Sequence, residues 1–245
     1  MQEDLVKNVR ALHGVLMTLL LMASLPAMAA VSLGGSVIVT SDYLVRGISR
    51  NHHDVSAQGD VHIALGNGFD AGVFAAMVQI APNTQRNTEV SAFVGFAADL
   101  SDAWHARTVV NHYSYPWNSA GSKYDYDELS LDVAYQQWLT FSAVYSPNAP
   151  RYLLDRGIVS VTTKSAEISA QAPLSRQFFL TSGLGYAHLA GPNSEGYNYW
   201  SVGGVYSLGP VAVSLQYVST SSAAQRLYYD SAAHNRVVGT AIWRF

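Results

Sequence analysis

The feature that most limits what this chain can become is a period-two alternation running from about residue 33 to the final residue. Val90, Ala92, Val94, Phe96, Ala98 and Leu100 alternate with Glu89, Ser91, Phe93, Gly95, Ala97 and Asp99. Leu129, Leu131, Val133 and Tyr135 alternate with Glu128, Ser130, Asp132 and Ala134, and Val211, Val213, Leu215 and Tyr217 with Ala212, Ser214, Gln216 and Val218. Successive side chains of a strand point to opposite faces, so each segment has one apolar face and one more polar face. Twelve such segments can be drawn, roughly 33–46, 56–66, 69–79, 88–100, 103–115, 125–136, 138–146, 158–172, 177–188, 197–208, 211–221 and 235–245. Most are about ten to thirteen residues long, the length a tilted strand needs to cross a bilayer. Strands of soluble sheets more often run about five or six residues.

The connections alternate in length. Asn67-Gly68, Ser101-Asp102, Gln137, Leu174-Ser175-Arg176 and Gly209-Pro210 are short, whereas 47–55, 80–87, 116–124, 147–157, 189–196 and 222–234 are long. A soluble sandwich or lipocalin also alternates along its strands but does not usually show this loop rhythm. The expected fold class is all-β: a closed antiparallel up-and-down transmembrane β-barrel of about 12 strands, with short periplasmic turns and longer extracellular loops. In lipid every backbone N–H and C=O must be paired internally, so the sheet has to close. The segment beginning near Leu33 must therefore pair with the one ending at Phe245. A strand ending on an aromatic residue resembles the signal read by the barrel-assembly machinery of the bacterial outer membrane, which makes that machinery an expected partner through Phe245.

Composition agrees. Only 13% of the residues are charged, there is no Cys, and the formal charge is −3. The low charge implies surface that does not face water, and a negative balance gives no footprint for nucleic acid. Ala11 to Ala30 is one apolar run that ends in Ala27-Met28-Ala29, a small-x-small pattern. We read 1–29 as a signal peptide cleaved after Ala29 and 30–245 as the barrel domain, exported to the bacterial outer membrane. Glu3 and Asp4 offset Lys7 and Arg10, so the charged start of that peptide is not typical. Aromatic residues gather near strand ends: Tyr43, Trp104, Tyr113, Tyr115, Trp117, Trp138, Tyr145, Tyr186, Tyr199, Trp200, Tyr217 and Trp243. They are expected to form interfacial girdles against outer-membrane lipids.

One stretch carries a resemblance. Ser41-Asp42-Tyr43-Leu44-Val45-Arg46-Gly47-Ile48-Ser49 resembles the opening S-D-Y-x-x-R-G-x-S of the TorF-type porins, the Gcw_chp family. Gln58-Gly59, Gly68-Phe69-Asp70-Ala71-Gly72-Val73-Phe74-Ala75, Tyr115-Pro116 and Tyr126-Asp127-Glu128-Leu129 are similar to later parts of that pattern. Segments 147–157 and 222–234 match nothing in it. The resemblance implies an outer-membrane channel in which 41–49 forms the first strand and first loop. It implies no substrate and no cofactor.

Taking Phe245 as an outward residue sets the register of the last strand: Trp243, Ala241, Gly239 and Val237 face lipid, and Arg244, Ile242, Thr240 and Val238 face in. A charged side chain on the lipid face costs about 2–4 kcal/mol at mid-depth. By the same logic Asp60, His62, Glu89, His105, Arg107, Asn111, Glu128, Asp132, Glu167 and Gln216 point inward and are the candidate pore-lining residues. The expected activity is passive diffusion of ions or small polar solutes, not catalysis, by a monomer or a homo-oligomer. Two alternatives remain open at this point. One is a non-conducting structural or adhesion barrel whose lumen charges pair and plug it. The other is a lipid hydrolase using His112 and Ser114, which share one face and resemble the His-x-Ser of outer-membrane phospholipases. Glu128 would have to supply the third member, yet its alternation points it into the lumen. His52-His53, beside Asp54, lacks the wider ligand set of a metal site and is expected in a solvated loop.

Overall fold

The computed structural model describes residues 31–79, 86–118, 121–153, 157–191, 194–228 and 230–245. The barrel strands are β1 (Ser32–Thr40), β4 (Ser56–Ala64), β5 (Phe69–Val78), β6 (Asn87–Asp99), β7 (Trp104–Ser114), β8 (Tyr126–Tyr135), β9 (Leu139–Leu153), β10 (Gly157–Pro173), β11 (Phe178–Leu189), β12 (Glu195–Leu208), β13 (Val211–Thr220) and β14 (Arg236–Arg244). Each is antiparallel to its sequence neighbour, and β1 closes the ring by pairing with both β4 and β14. All twelve expected strands are present and the barrel is closed. Two further strands, β2 (Leu44–Val45) and β3 (Ile48–Ser49), form a small hairpin outside the barrel sheet.

Closure takes the form that the alternation requires. Val37 pairs with Trp243 and Ile38 with Ile242. The Phe245 N–H donates to the Gly35 carbonyl at 3.1 Å, and the Gly35 N–H donates back to the Phe245 carbonyl at 3.1 Å. The Phe245 ring lies over Gly35, where an added Cβ would stand 2.7 Å from the ring. On β14 the expected register holds: Val237 and Trp243 are exposed, while Val238 and Ile242 are buried. The same split runs round the barrel. Val61, Val73, Val94, Val110, Leu131, Leu184, Val202 and Leu215 form an outward apolar belt. The buried charged side chains, Asp60, Asp70, Glu89, Arg107, Glu128 and Asp132, turn inward, where their partners are.

The aromatic girdle is partly as expected. At the turn end Phe69–Phe96, Trp104–Tyr135 and Trp243–Phe245 pack in pairs at 4.7, 4.8 and 5.2 Å between ring centroids. Nearer the loop end Trp200 meets Tyr217 at 5.5 Å, and Tyr145 and Tyr186 are exposed. Tyr43, Tyr113, Tyr115 and Tyr199, however, are buried inside. For Tyr113 and Tyr199 strand parity places them on the inner face; Tyr43 and Tyr115 lie beyond the strand ends, where parity no longer applies.

Two segments depart from expectation. Within the expected 147–157 loop, residues 147–153 and Gly157 are strand, and 154–156 lie outside the described residues: β9 and β10 stay paired to Leu153 and Gly157, past an irregularity between Val161 and Thr163. The first strand stops at Thr40 instead of continuing to 46. Thr40 Oγ1 donates to the Asp42 carbonyl at 2.9 Å, and the chain turns into the barrel rather than out of it.

Candidate functional site: the barrel interior

Residues 41–54 form a strap that folds into the mouth of the barrel. Its hairpin pairs Leu44 with Ser49 and Val45 with Ile48. The two turn residues, Arg46 (φ 51) and Gly47 (φ 78), both have positive φ, as a tight two-residue hairpin turn requires. An added Cβ on Gly47 would lie 2.7 Å from Thr220 Cγ2 and 2.9 Å from Tyr199 Cβ, so glycine also lets the turn press on the wall. Arg46 sits in the left-handed region, which a non-glycine residue keeps only when its surroundings hold it there. Here a 2.7 Å ion pair with Glu128 holds it.

The strap touches the β5–β8 and β11–β14 walls of the barrel. Leu44 packs with Val218 and Val238. Ile48 packs with Ala187, Leu189, Tyr197 and Tyr199, together with Ala224, Ala232 and Ala233 from the 222–234 segment, which holds a short helix at Ser222–Leu227. Tyr43 packs with Ala76, Val78, Tyr113, Tyr115 and Tyr126. The polar contacts are as widely spread. Asp42 accepts from Arg236 Nη1 at 2.6 Å and from Ser49 Oγ at 2.6 Å. Tyr43 Oη donates to Glu89 Oε1 at 3.0 Å. Arg50 Nη2 bonds Glu89 Oε2 at 2.8 Å and Tyr115 Oη at 2.6 Å, and Tyr115 Oη also donates to Glu89. Ser41 Oγ accepts the Gly239 N–H at 3.0 Å.

Each named position of the S-D-Y-x-x-R-G-x-S stretch therefore has a task. Ser41 leaves the sheet, Asp42 and Ser49 bond to each other, Tyr43 and Arg46 reach buried carboxylates, and Gly47 makes the turn. This corrects the reading of 41–49 as a continued strand and an outward loop. The apolar Leu44, Val45 and Ile48 that flank Arg46-Gly47 were the one local signal of burial in this stretch. His53 is likewise drawn in, its Nδ1 3.1 Å from Asp42 Oδ2, with about a third of its side chain exposed. Among the described residues no group of three or more His, Cys, Asp or Glu is placed to hold a metal ion.

Below the strap the interior carries further pairs. Arg107 Nη2 lies 2.6 Å from Asp70 Oδ2, both almost fully buried. Asp60 accepts from Ser36 Oγ at 2.5 Å and lies 2.8 Å from His62 Nδ1. Asp132 accepts from Ser142 Oγ at 2.5 Å. His105 pairs with Asp99 at 2.5 Å by the turns. Glu167 lies beside Tyr199, which in turn lies flat over Gly185. Of the ten residues singled out from the sequence, Asp60, His62, Glu89, Arg107, Asn111, Glu128 and Asp132 are buried within the barrel. His105, Glu167 and Gln216 are half-buried. They do not form one cluster. Glu89 and Glu128 anchor the strap, whereas Asp60, His62, Arg107 and Asp132 lie at lower levels. Asp42, Arg46, Arg50, Asp70, Tyr115 and Arg236 complete the arrangement and were not singled out. Asp70 was legible from its alternation with Phe69 and Ala71; the others lie outside regular strand or at a strand end.

The interior is uneven. The β5–β8 side is filled by Phe93, Val109, Tyr113 and Tyr126. The β9–β13 side presents the half-exposed Ser142, Ser165, Glu167, Gly183, Ser201, Gly203 and Gln216. These groups are small or polar and are partly exposed.

On the outer face, His112 Nδ1 lies 2.8 Å from Asp127 Oδ1, and Asn148 Nδ2 donates to Asp127 Oδ2 at 3.0 Å. Glu128 points inward, as its alternation requires, so the neighbouring Asp127 is the acid that holds the histidine. Ser114 Oγ instead faces the Val90 carbonyl at 3.4 Å. Among the described residues no hydrogen bond joins it to His112, so the nucleophile–base contact of a hydrolase is missing.

A closed antiparallel barrel with an apolar belt, aromatic bands and a charged interior defines a bacterial outer-membrane β-barrel of porin architecture. The chain belongs to the family described as "Bacterial protein of unknown function (Gcw_chp)", whose model matches residues 25–245. Among solved structures it is similar to the KdgM porin, at 10% identity and a TM-score of 0.53, covering 86% of this chain and 99% of that one. A KdgM porin in complex with disordered oligogalacturonate gives 10% identity and a TM-score of 0.52, with coverage of 88% and 99%. The NanC porin gives 11% identity and a TM-score of 0.52, with coverage of 87% and 98%. At these identities the likeness is one of fold. No curated protein matches the chain.

Proposed function

We propose that this protein is an outer-membrane channel through which ions or small polar solutes diffuse, narrowed but not filled by the 41–54 strap. The observation that carries the reading is the uneven interior: a side of Ser, Gly and Gln groups with Glu167 among them, facing a strap held by ion pairs. Polar lining groups take over part of a solute's hydration, and their charge sets what passes. Asp60, His62, Glu89, His105, Arg107, Asn111, Glu128, Asp132, Glu167 and Gln216 are proposed to line or shape this path. The chain works without a cofactor and is not an enzyme. Segment 1–29 directs export and is removed after Ala29, and the β14 strand ending at Phe245 presents the chain to the assembly machinery. Lipids cover the outer belt.

The neighbour's oligogalacturonate makes a polar solute a reasonable class but does not transfer as a ligand, because it is a chain of carboxylates and this interior is rich in carboxylates of its own. Swelling of proteoliposomes in sugars of rising size tests the reading. Small sugars should enter and large oligosaccharides should not. Swelling no faster than in protein-free vesicles, with correctly folded protein, would refute it.

A further inference from the structure

Four guanidinium groups of the interior are already committed. Arg46 lies 2.7 Å from Glu128, Arg50 2.8 Å from Glu89, Arg107 2.6 Å from Asp70 and Arg236 2.6 Å from Asp42. A charge held this closely by its opposite presents a passing ion with little beyond a dipole. What steers the ion is the charge left over.

The surplus is negative. Asp60, Asp132 and Glu167 stand outside these pairs. Asp60 is held by Ser36 and His62, and Asp132 by Ser142. Glu167 lies beside Tyr199, and Arg46 acts on it only at longer range. Within the barrel, Arg244 is the counterweight at the turn end, where it faces Asp60 across Ser36, so Asp132 and Glu167 are the charge left over. Arg151 lies above the β9–β10 irregularity, at the outer mouth. Position then separates Glu167 from the rest. Asp60 and Asp132 are buried, whereas Glu167 is only half-buried, on the Ser- and Gly-lined side between Ser165 and Gly183. Its Oε1 would lie 3.2 Å from a Cβ added to Gly183, so the carboxylate occupies the space that a side chain there would take.

We infer that the channel selects cations, and that Glu167 is the residue that sets the selectivity. This rests on the channel reading above and adds the sign of the permeant charge. Inorganic cations and small protonated amines are the solutes it favours; acidic solutes of the same size are excluded.

The test is the zero-current potential of the purified full chain in a planar bilayer under a potassium chloride gradient. The wild type should show a severalfold preference for potassium. Glu167→Gln should lose most of that preference while its channel steps persist. Asp127→Asn, on the outer face, should keep the wild-type preference. Folding of each variant is checked by its heat-shifted mobility on gels. A wild type that conducts with no preference or with a chloride preference overturns the inference and leaves the channel intact, as does Glu167→Gln with unchanged selectivity. Folded wild type that never conducts, including with the strap anchors Arg46 and Arg50 replaced by serine, overturns the channel and the inference together.

Discussion

The Arg50–Glu89 pair gives the sharpest energetic prediction. The Glu89 side chain has no exposed surface and Arg50 has 22%. Removing one member of a buried pair strands the other and costs about 3–5 kcal/mol. Arg50→Ala belongs at or below the low end, about 2–3 kcal/mol, because Glu89 keeps the hydroxyls of Tyr43 and Tyr115 as donors. Glu89→Ala removes the acceptor of three donors at once. Arg50 can turn to water through its exposed flank, but the Tyr43 and Tyr115 hydroxyls are left buried, each unmet group costing about 1–3 kcal/mol. The expected loss is about 3–4 kcal/mol. In the double variant the charge conflict vanishes and only the two tyrosines remain unmet, so the loss should again be about 3–4 kcal/mol rather than the sum of the singles. The coupling is then about 2 kcal/mol. Reversible urea unfolding in phospholipid vesicles, followed by tryptophan fluorescence, measures all three. Additivity to within about 0.5 kcal/mol would refute the claim that this pair fastens the strap.

Other consequences can be checked as directly. Gly185→Val should destabilise the barrel by at least about 1–3 kcal/mol, because an added Cβ would stand 2.2 Å from Tyr199 Cζ; the same unfolding assay reads it. Leu131→Arg, on the exposed belt of β8, should cost about 2–4 kcal/mol in bilayers if it lies at mid-depth, and a neutral result would place it off the lipid face. Deleting Phe245 removes the ring over Gly35 and the 3.1 Å closing bonds, and should slow assembly into vesicles in a folding time course. Mass spectrometry of the exported protein should find Ala30 at its N-terminus; an uncleaved chain would contradict the 1–29 signal peptide.

The barrel was legible because period-two alternation is local and repeats round the ring. Once Phe245 sets the phase of β14, Val237 and Trp243 go out and Val238 and Ile242 go in, and the structure follows. The strap was not legible for the same reason. Alternation ends where regular strand ends, at Thr40, and beyond it direction is set by partners distant in sequence, such as Glu89, Glu128 and Arg236. A polar, Gly-containing stretch between strands reads as an outward loop unless its partners are known. Segment 147–157 failed differently: Pro147 and Pro150 look like strand breakers, yet β9 continues through them to Leu153, beyond the irregular pairing. Glu167 was readable as inward but not as distinct, because its standing outside the arginine pairs is a property of the assembled interior.

A water-filled path beside an ion-paired strap should be visible in single-channel recording. Purified wild-type protein in a planar bilayer should give small, reproducible steps. Replacing both Arg46 and Arg50 with serine frees Glu128 and Glu89 and loosens the strap, so the steps should grow severalfold while the protein still runs as a folded barrel. Folded protein that is silent in both forms, or steps that do not change when the strap is released, would contradict the account.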